Sequence, residues 1–351
     1  MTRRSSSKGG AAAVSLSLVV VMLIVIVAAS RQNAAPVARH SDLFDSAQLL
    51  QDLRVLSADD MQGRRVDTAG GAKARAYLEQ RFKACGITPF GSTFEEPFAF
   101  TMGRGGNQTT VHGVNVVGHI DGAQTPGRYL VVSAHYDHLG IENGVVYDGA
   151  DDNASGAAAL CSVAAYVAAH RTANSVIFVA FDGEEEGLRG AQAFVKAPPV
   201  SAGSLGIDLN MDMIGRDPND KLFVVGITRQ PQLRPFVEHV AAHAPVKLLI
   251  GHDTPGEKED WTDESDHYAF MQAHIPALYF GVEDFDQHHQ PTDKFETMTF
   301  DFYVRAVETM ILAVQEFDAH LEALGAYHSE TRGSHAARQQ CHSPLRVGGC
   351  R

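Results

Sequence analysis

Three observations predict an α/β fold with helices covering both faces of its sheet. Unbroken apolar runs at Tyr129–Ala134, Val176–Phe181, Ile207–Met211 and Ala277–Phe280 read as strands buried on both sides. Helical patterns at Ala154–His170 and Leu188–Val195 fall between the first three of these runs. Residues able to bind metal follow several of the runs, and ligands in open α/β sheets bind beyond the carboxyl ends of strands. With 351 residues the chain can bury one large core or two smaller ones.

The elements can be taken in chain order. Arg3, Arg4 and Lys8 precede an apolar stretch over 11–29, so residues 1–29 read as a signal peptide or an N-terminal anchor. The expected location is exported, secreted or periplasmic, with anchoring by residues 11–29 as the alternative. Residues 30–40 read as a linker, 41–327 as one catalytic domain and 328–351 as a disordered polar tail. Asp42–Leu56 and Gly70–Cys85 have helical spacing, and the polar segment Asp59–Arg65 between them reads as a turn. Ser92–Met102 and Val111–Ile120 flank a Gly-rich turn and predict a hairpin. Phe302–Leu324 reads as a closing helix with Val304, Val307, Ile311, Val314 and Phe317 near one face.

Composition narrows the function. The formal charge is −13, and residues 1–29 carry no acid, so the body is more acidic still. Such a body repels phosphates and argues against nucleic acid as a partner. A membrane partner is expected only if the N-terminal segment stays attached. Four cysteines are too few for a disulfide scaffold. Cys85 and Cys161 read as buried thiols, whereas Cys341 and Cys350 could close a small loop in an oxidising compartment.

The candidate ligands are His135, Asp151, Glu185, Asp212 and His289. Two histidines and three carboxylates can hold two Zn²⁺ ions if one carboxylate bridges. Glu184, beside a ligand but spare, is then placed to move a proton. His135 lies in AHYDH, where Asp137 is the natural acceptor for its second ring nitrogen. Read alone, the segment favours His135 as a hydrogen-bonded loop histidine over a ligand. Asp151 and Asp152 precede a Gly/Ala-rich helix start and read either as helix caps or as a ligand site that relieves their repulsion. The acidic run Glu184–Glu186 could be a solvated turn, yet it leaves a fully apolar strand. Asp212 sits among apolar residues, where a carboxylate needs a partner or a metal, and Asp208 competes with it in the same strand. His288 and His289 are ambiguous by themselves.

The ordered set AHYDH, GADDNASG, GEEEGLRG, NMDMIG, SDHYAF and HHQPTD, preceded by LSADDMQGRR, resembles the exported two-zinc aminopeptidases of peptidase clan MH over about Leu56–Phe317. The resemblance implies an α/β/α sandwich around a mixed, mainly parallel sheet. It implies that His135 and Asp212 hold one zinc, that Glu185 and His289 hold the other, and that Asp151 bridges. Glu184 would be the general base, Asp137 would orient His135, and the Asp151–Asp152 bond would be cis. No catalytic role is implied for Ser265, Asp266 or His267. Where many family members have Tyr before the last histidine this chain has His288, a possible group for polarising the scissile carbonyl. The implied substrate is the N-terminus of a peptide or protein. A single-zinc glutaminyl cyclase of related fold, or a carboxypeptidase or amidase on the same metals, is the alternative.

Overall fold

The computed structural model describes Met1 and residues 39–103, 107–254, 256–283 and 285–341. Two compact units divide the chain, Met1–Val37 and Ala38–Arg351, and the second holds the whole sheet. Apart from Met1, the expected signal or anchor segment lies outside the described residues, as do linker residues 30–38 and Cys350. Among the described residues no helix is long and apolar enough to cross a membrane.

Among the described residues ten strands form, in chain order: β1 (Glu95–Met102), β2 (Thr109–Ile120), β3 (Thr125–His135), β4 (Gly140–Glu142), β5 (Val145–Tyr147), β6 (Asn174–Phe181), β7 (Leu205–Met211), β8 (Lys221–Val225), β9 (Lys247–Ile250) and β10 (Ala277–Gly281). Among the described residues seven α-helices accompany them: α1 (Ser46–Leu56), α2 (Ala69–Ala84), α3 (Gly156–His170), α4 (Arg189–Lys196), α5 (Arg234–His243), α6 (His267–Gln272) and α7 (Phe300–Cys341). Eight strands make one sheet in the order β1-β2-β6-β3-β7-β10-β8-β9, while β4 and β5 pair separately. The central pairs β6-β3, β3-β7 and β7-β10 are parallel. The hairpin β1-β2 and the pairs β2-β6 and β10-β8 are antiparallel, and β8-β9 is parallel. The sheet is therefore mixed and mainly parallel, as expected.

Burial explains why the central runs are apolar without alternation. Every residue of β6, β7 and β10 is buried. On one face Val132, Phe178, Leu209 and Leu278 join a large core with α1, α2, α3, α5 and α7. On the other, Val131, Ile177, Val179 and Ala277 pack with Ala191 and Phe194 of α4 and Phe270 of α6. Successive strand residues point to opposite faces, so a strand covered on both must be apolar throughout.

Several expectations need correction. Asp59–Arg64 is a short 3₁₀ segment rather than a plain turn. The expected disordered tail begins as helix: α7 runs through to Cys341. Strands β4, β5, β8 and β9 and helices α5 and α6 go beyond the sequence-based elements. Cys161 is buried and Cys85 half-buried, and both are free. They stand Sγ to Sγ at 2.7 Å, so the two thiols are neighbours.

Candidate metal centre

The parallel core delivers its carboxyl ends to one edge. His135 ends β3 and pairs in register with Phe181, the last residue of β6. Glu184 and Glu185 lie in the turn that follows β6, Asp212 comes directly after β7, and the loop leaving β10 carries His288 and His289. Asp212 is fixed by its N–H, which donates to the Phe280 carbonyl at 3.0 Å.

Two donor sets meet there. His135 Nε2 lies 3.1 Å from Asp212 Oδ1 and 3.4 Å from Asp152 Oδ1. His289 Nε2 lies 3.1 Å from Glu185 Oε2 and 3.2 Å from Asp152 Oδ2. Asp152 thus gives one oxygen to each set. His138 Nδ1 also faces Glu185 Oε1 at 2.8 Å, and His288 Nε2 stands 3.6 Å from Asp152 Oδ2. Glu184 Oε2 is 4.0 Å from His135 Nε2, on the cavity side.

The shared carboxylate corrects the sequence reading. Asp151 was the expected bridge, but it is turned away: its Oδ1 accepts the Gly215 N–H at 2.8 Å. Helical or strand periodicity does not apply here, because Asp152 and Asn153 leave helical geometry, with φ of −103° and −127°. The cis bond expected at Asp151–Asp152 lies at Asp152–Asn153. Asp293 holds the segment from behind, accepting from the N–H groups of Asp151 and Asp152 at 3.0 Å. Arg216 donates to Asp293 in turn. Gly149 is required, since it has a φ of +54° and a Cβ there would lie 2.1 Å from the Asp152 carbonyl oxygen.

Asp137 stands behind both His135 and Glu184. The Asp137 carbonyl lies 3.3 Å from His135 Nδ1, with its Oδ1 at 3.6 Å. The Asp137 carboxylate also accepts the Glu184 N–H at 3.1 Å, tying the histidine's backing to the proposed base. Asp208 does not join the centre. It is buried deeper in β7 and accepts from Ser133 Oγ at 2.7 Å.

Three contributors were missed as site residues. Arg64 is fully buried, and its guanidinium donates to the carbonyls of Leu56, Tyr136, Asp148 and Gly149 at 2.5–2.8 Å. It therefore fastens the chain before Asp137 and before Asp152. Ser265 Oγ donates to Asp212 Oδ2 at 2.7 Å. His138 is fully buried and holds Glu185. The signal for Ser265 and His138 lay in motifs already singled out, but Arg64 needed the tertiary structure, because its acceptors come from separate segments.

The electrostatics call for cations. Burial pushes Glu184 up, and although His135 opposes it, nearby Asp212 and Asp266 add to the rise, leaving it well above the usual carboxylate range. Burial opposes a charge on His135, yet Asp212 and Glu184 overrule it and raise its pKa well above the ordinary value. Hydrogen bonding to Asp152 and Glu185 lifts His289 to about 10. Burial alone would raise Glu185 too, but His138 and His289 hold it well below its usual range. Asp266 is fully buried with neither carboxylate oxygen hydrogen-bonded, and burial drives it well up. Carboxylates outnumber imidazoles, and the imidazoles are drawn toward protonation to compensate.

This donor set fits zinc. Imidazole nitrogen and carboxylate oxygen at zinc distances of about 2.0–2.2 Å, arranged tetrahedrally, lie about 3.3 Å from one another. The contacts of 3.1–3.4 Å within each set match that edge. Asp137 Oδ2 and His138 Nε2 are buried without a hydrogen-bond partner.

A cavity of about 640 Å³ opens over the centre and is lined by His135, Asp152, Glu184, Glu185, Asp212 and His289 among others. The family description "Peptidase family M28" matches residues 115–314. A probable zinc metalloprotease of Pyrenophora tritici-repentis is 26% identical over 294 residues, which are 69% of this chain and 66% of that protein, less than two thirds of its length. Among solved structures, the zinc aminopeptidase BSAP from Bacillus subtilis superposes with a TM-score of 0.64 at 15% identity, covering 79% of this chain and 95% of that one. A glutaminyl cyclase from Fimbriiglobus ruber gives 0.62 at 19%, covering 81% and 99%.

Proposed function

The chain belongs to peptidase family M28, and on that premise we propose that it is a two-zinc aminopeptidase, hydrolysing the first peptide bond of peptides with a free N-terminus. The observation that carries the reading is the split of Asp152, one oxygen 3.4 Å from His135 Nε2 and the other 3.2 Å from His289 Nε2. His135, Asp212 and Asp152 would hold one ion, and His289, Glu185 and Asp152 the other. When bound, the ions would supply Lewis-acid polarisation of the scissile carbonyl and ease ionisation of the attacking water.

The remaining steps belong to the chain. Glu184 Oε2 takes the proton of the attacking water and returns it to the leaving nitrogen. Burial among carboxylates makes Glu184 a stronger base than a solvated glutamate, which suits that transfer. Asp137 holds the Glu184 backbone and backs His135, so base and ligand keep a fixed separation. His288, beside His289 and 3.6 Å from Asp152, would donate a hydrogen bond to the carbonyl oxygen. The acidic cavity attracts a free α-ammonium group, which favours cleavage at the N-terminus.

A glutaminyl cyclase reading has the fold in its favour. A single-ion transferase needs one donor set, however, and the second set around His135 favours the peptidase. Purified protein assayed with free and N-acetylated peptides tests the proposal. Cleavage confined to the free peptides, with two zinc ions per chain, is expected. Equal cleavage of acetylated peptides removes the aminopeptidase reading, and pyroglutamate formation with one zinc favours the cyclase. The basic and apolar N-terminal pattern supports export, secreted, periplasmic or anchored by residues 11–29. Sequencing the N-terminus of the mature protein decides among these.

A further inference from the structure

The cavity over the metal centre has a second wall made by a single loop between β9 and α6. Glu257, Glu259, Asp260, Asp263 and Glu264 all line it, with Lys258 as the one cation of that stretch. Lys258 is 3.9 Å from Glu259, both well exposed, so it offsets little of the negative charge. Trp261 and Tyr279 line the same space and are mostly buried. Asp152, 3% exposed, lines the same cavity.

We propose that this wall is a subsite for a cationic side chain, lysine or arginine, on the residue whose carbonyl is attacked. This rests on the peptidase reading of the centre and names its substrate class. The loop is built to hold its shape. The Trp261 indole stacks on His252 with ring centroids 3.9 Å apart and planes 9° apart, and it meets Phe223 edge-on at 5.8 Å. The backbone N–H of Trp261 donates to the His252 carbonyl at 2.7 Å. Asp260 accepts from both the N–H and the hydroxyl of Thr262, fixing the next turn. The base of the loop is tied down by Asp253, which accepts from Gly226 and Thr228.

Two chemistries are therefore presented in sequence. The aromatic surfaces of Trp261 and Tyr279 match a methylene stem, and Trp is the best aromatic partner for a cation. The carboxylates beyond them match an ammonium or guanidinium that stays hydrated at the rim. A leucine side chain would use the first surface and leave the second unpaired. A glutamate side chain would be repelled. Each exposed pair contributes modestly, so several carboxylates are needed for a sizeable preference, and this loop supplies several.

Trp261 is the single tryptophan of the chain, which gives a direct readout. Zinc-loaded full-length protein would be titrated with lysinamide and with norleucinamide, which shares the α-amine and the stem but lacks the ε-ammonium, while Trp261 emission is followed. Lysinamide is expected to bind about tenfold tighter at low salt, about 1.4 kcal/mol, with the preference shrinking as salt rises. In parallel, kcat/KM would be compared for lysyl, arginyl, leucyl and glutamyl anilides. The variant E257Q/E259Q/D263N replaces exposed groups by isosteres, and its lysyl-to-leucyl ratio should fall about tenfold, mainly through KM. Equal binding of the two amides, a leucyl preference in the unaltered protein, or an unchanged ratio in the variant overturns the subsite. Failure to cleave any anilide while lysinamide still binds tighter overturns the peptidase reading instead.

Discussion

The two donor sets that share Asp152 are built on different ground. The His135 set stands on ends of the parallel sheet: His135 and Asp212 side chains are 1% and 8% exposed, and Asp212 is braced by Ser265. The His289 set leans on a loop: His289 is 45% exposed and has a φ of +53°. That loop is held indirectly, through Asp293 beneath the Asp152 segment and Lys294 on Asp148. Strand ends fix a ligand through the sheet's own hydrogen bonds, whereas a loop ligand depends on side-chain anchors. The common carboxylate joins the rigid set to the anchored one.

The largest effect is expected where the two sets meet. Asp152→Asn removes the only group that both share, and peptide hydrolysis should fall by more than about 10³-fold, with zinc content reduced. Asp151→Asn is the control one residue away. Its Oδ1 accepts a backbone N–H, which an amide oxygen can also do, so activity should stay within about tenfold. Anilide kinetics and metal analysis on the pair would settle the order. If Asp151→Asn were the more damaging, the division of the centre around Asp152 would be wrong.

Next in size is the loss of Arg64, which supports both sets at once. Arg64→Met leaves the buried carbonyls of Leu56, Tyr136, Asp148 and Gly149 without their donor. A cost of about 3–5 kcal/mol in unfolding free energy is expected. Urea denaturation measures it, and a change under about 1 kcal/mol would show that water replaces the guanidinium.

The same contrast explains what could be read in advance. The apolar runs ending at Ala134, Phe181, Met211 and Phe280 declare buried strands, and their polar successors His135, Glu184, Glu185 and Asp212 follow from where the chain leaves the core. Asp151 and Asp152 could not be told apart, because the segment is neither helix nor strand and no period assigns a direction to either side chain. Arg64 looked like part of a polar turn, since its acceptors arrive from distant segments. Strands β8 and β9, of which β9 is the sheet edge, have five and four residues, too short for a clear pattern. Beyond Leu324 the sequence turns polar, so the helix continues with no apolar stripe to announce it.

Glu184→Gln tests the proton transfer apart from metal binding. Glu184 touches neither shared oxygen of Asp152 closely enough to be counted in the donor sets. The variant should keep its zinc and lose about 10²–10⁴-fold in kcat. Full activity would remove Glu184 as base, and loss of zinc would move it among the ligands.

The smallest effect bears most directly on the rigid and the anchored set. Histidine ligands backed by a second acceptor and shielded from water hold metal more tightly, by about 10–100-fold in affinity. His135 has Asp137 behind it and is almost fully buried, while His289 is nearly half exposed. Titration with a chelator should therefore remove zinc in two steps, the first from the His289 set and at least about tenfold easier. His289→Ala should abolish the first step and leave the second in place, whereas His135→Ala should remove the tight one. A single step releasing both ions together would mean that Asp152 couples the two sets so strongly that their different foundations do not matter.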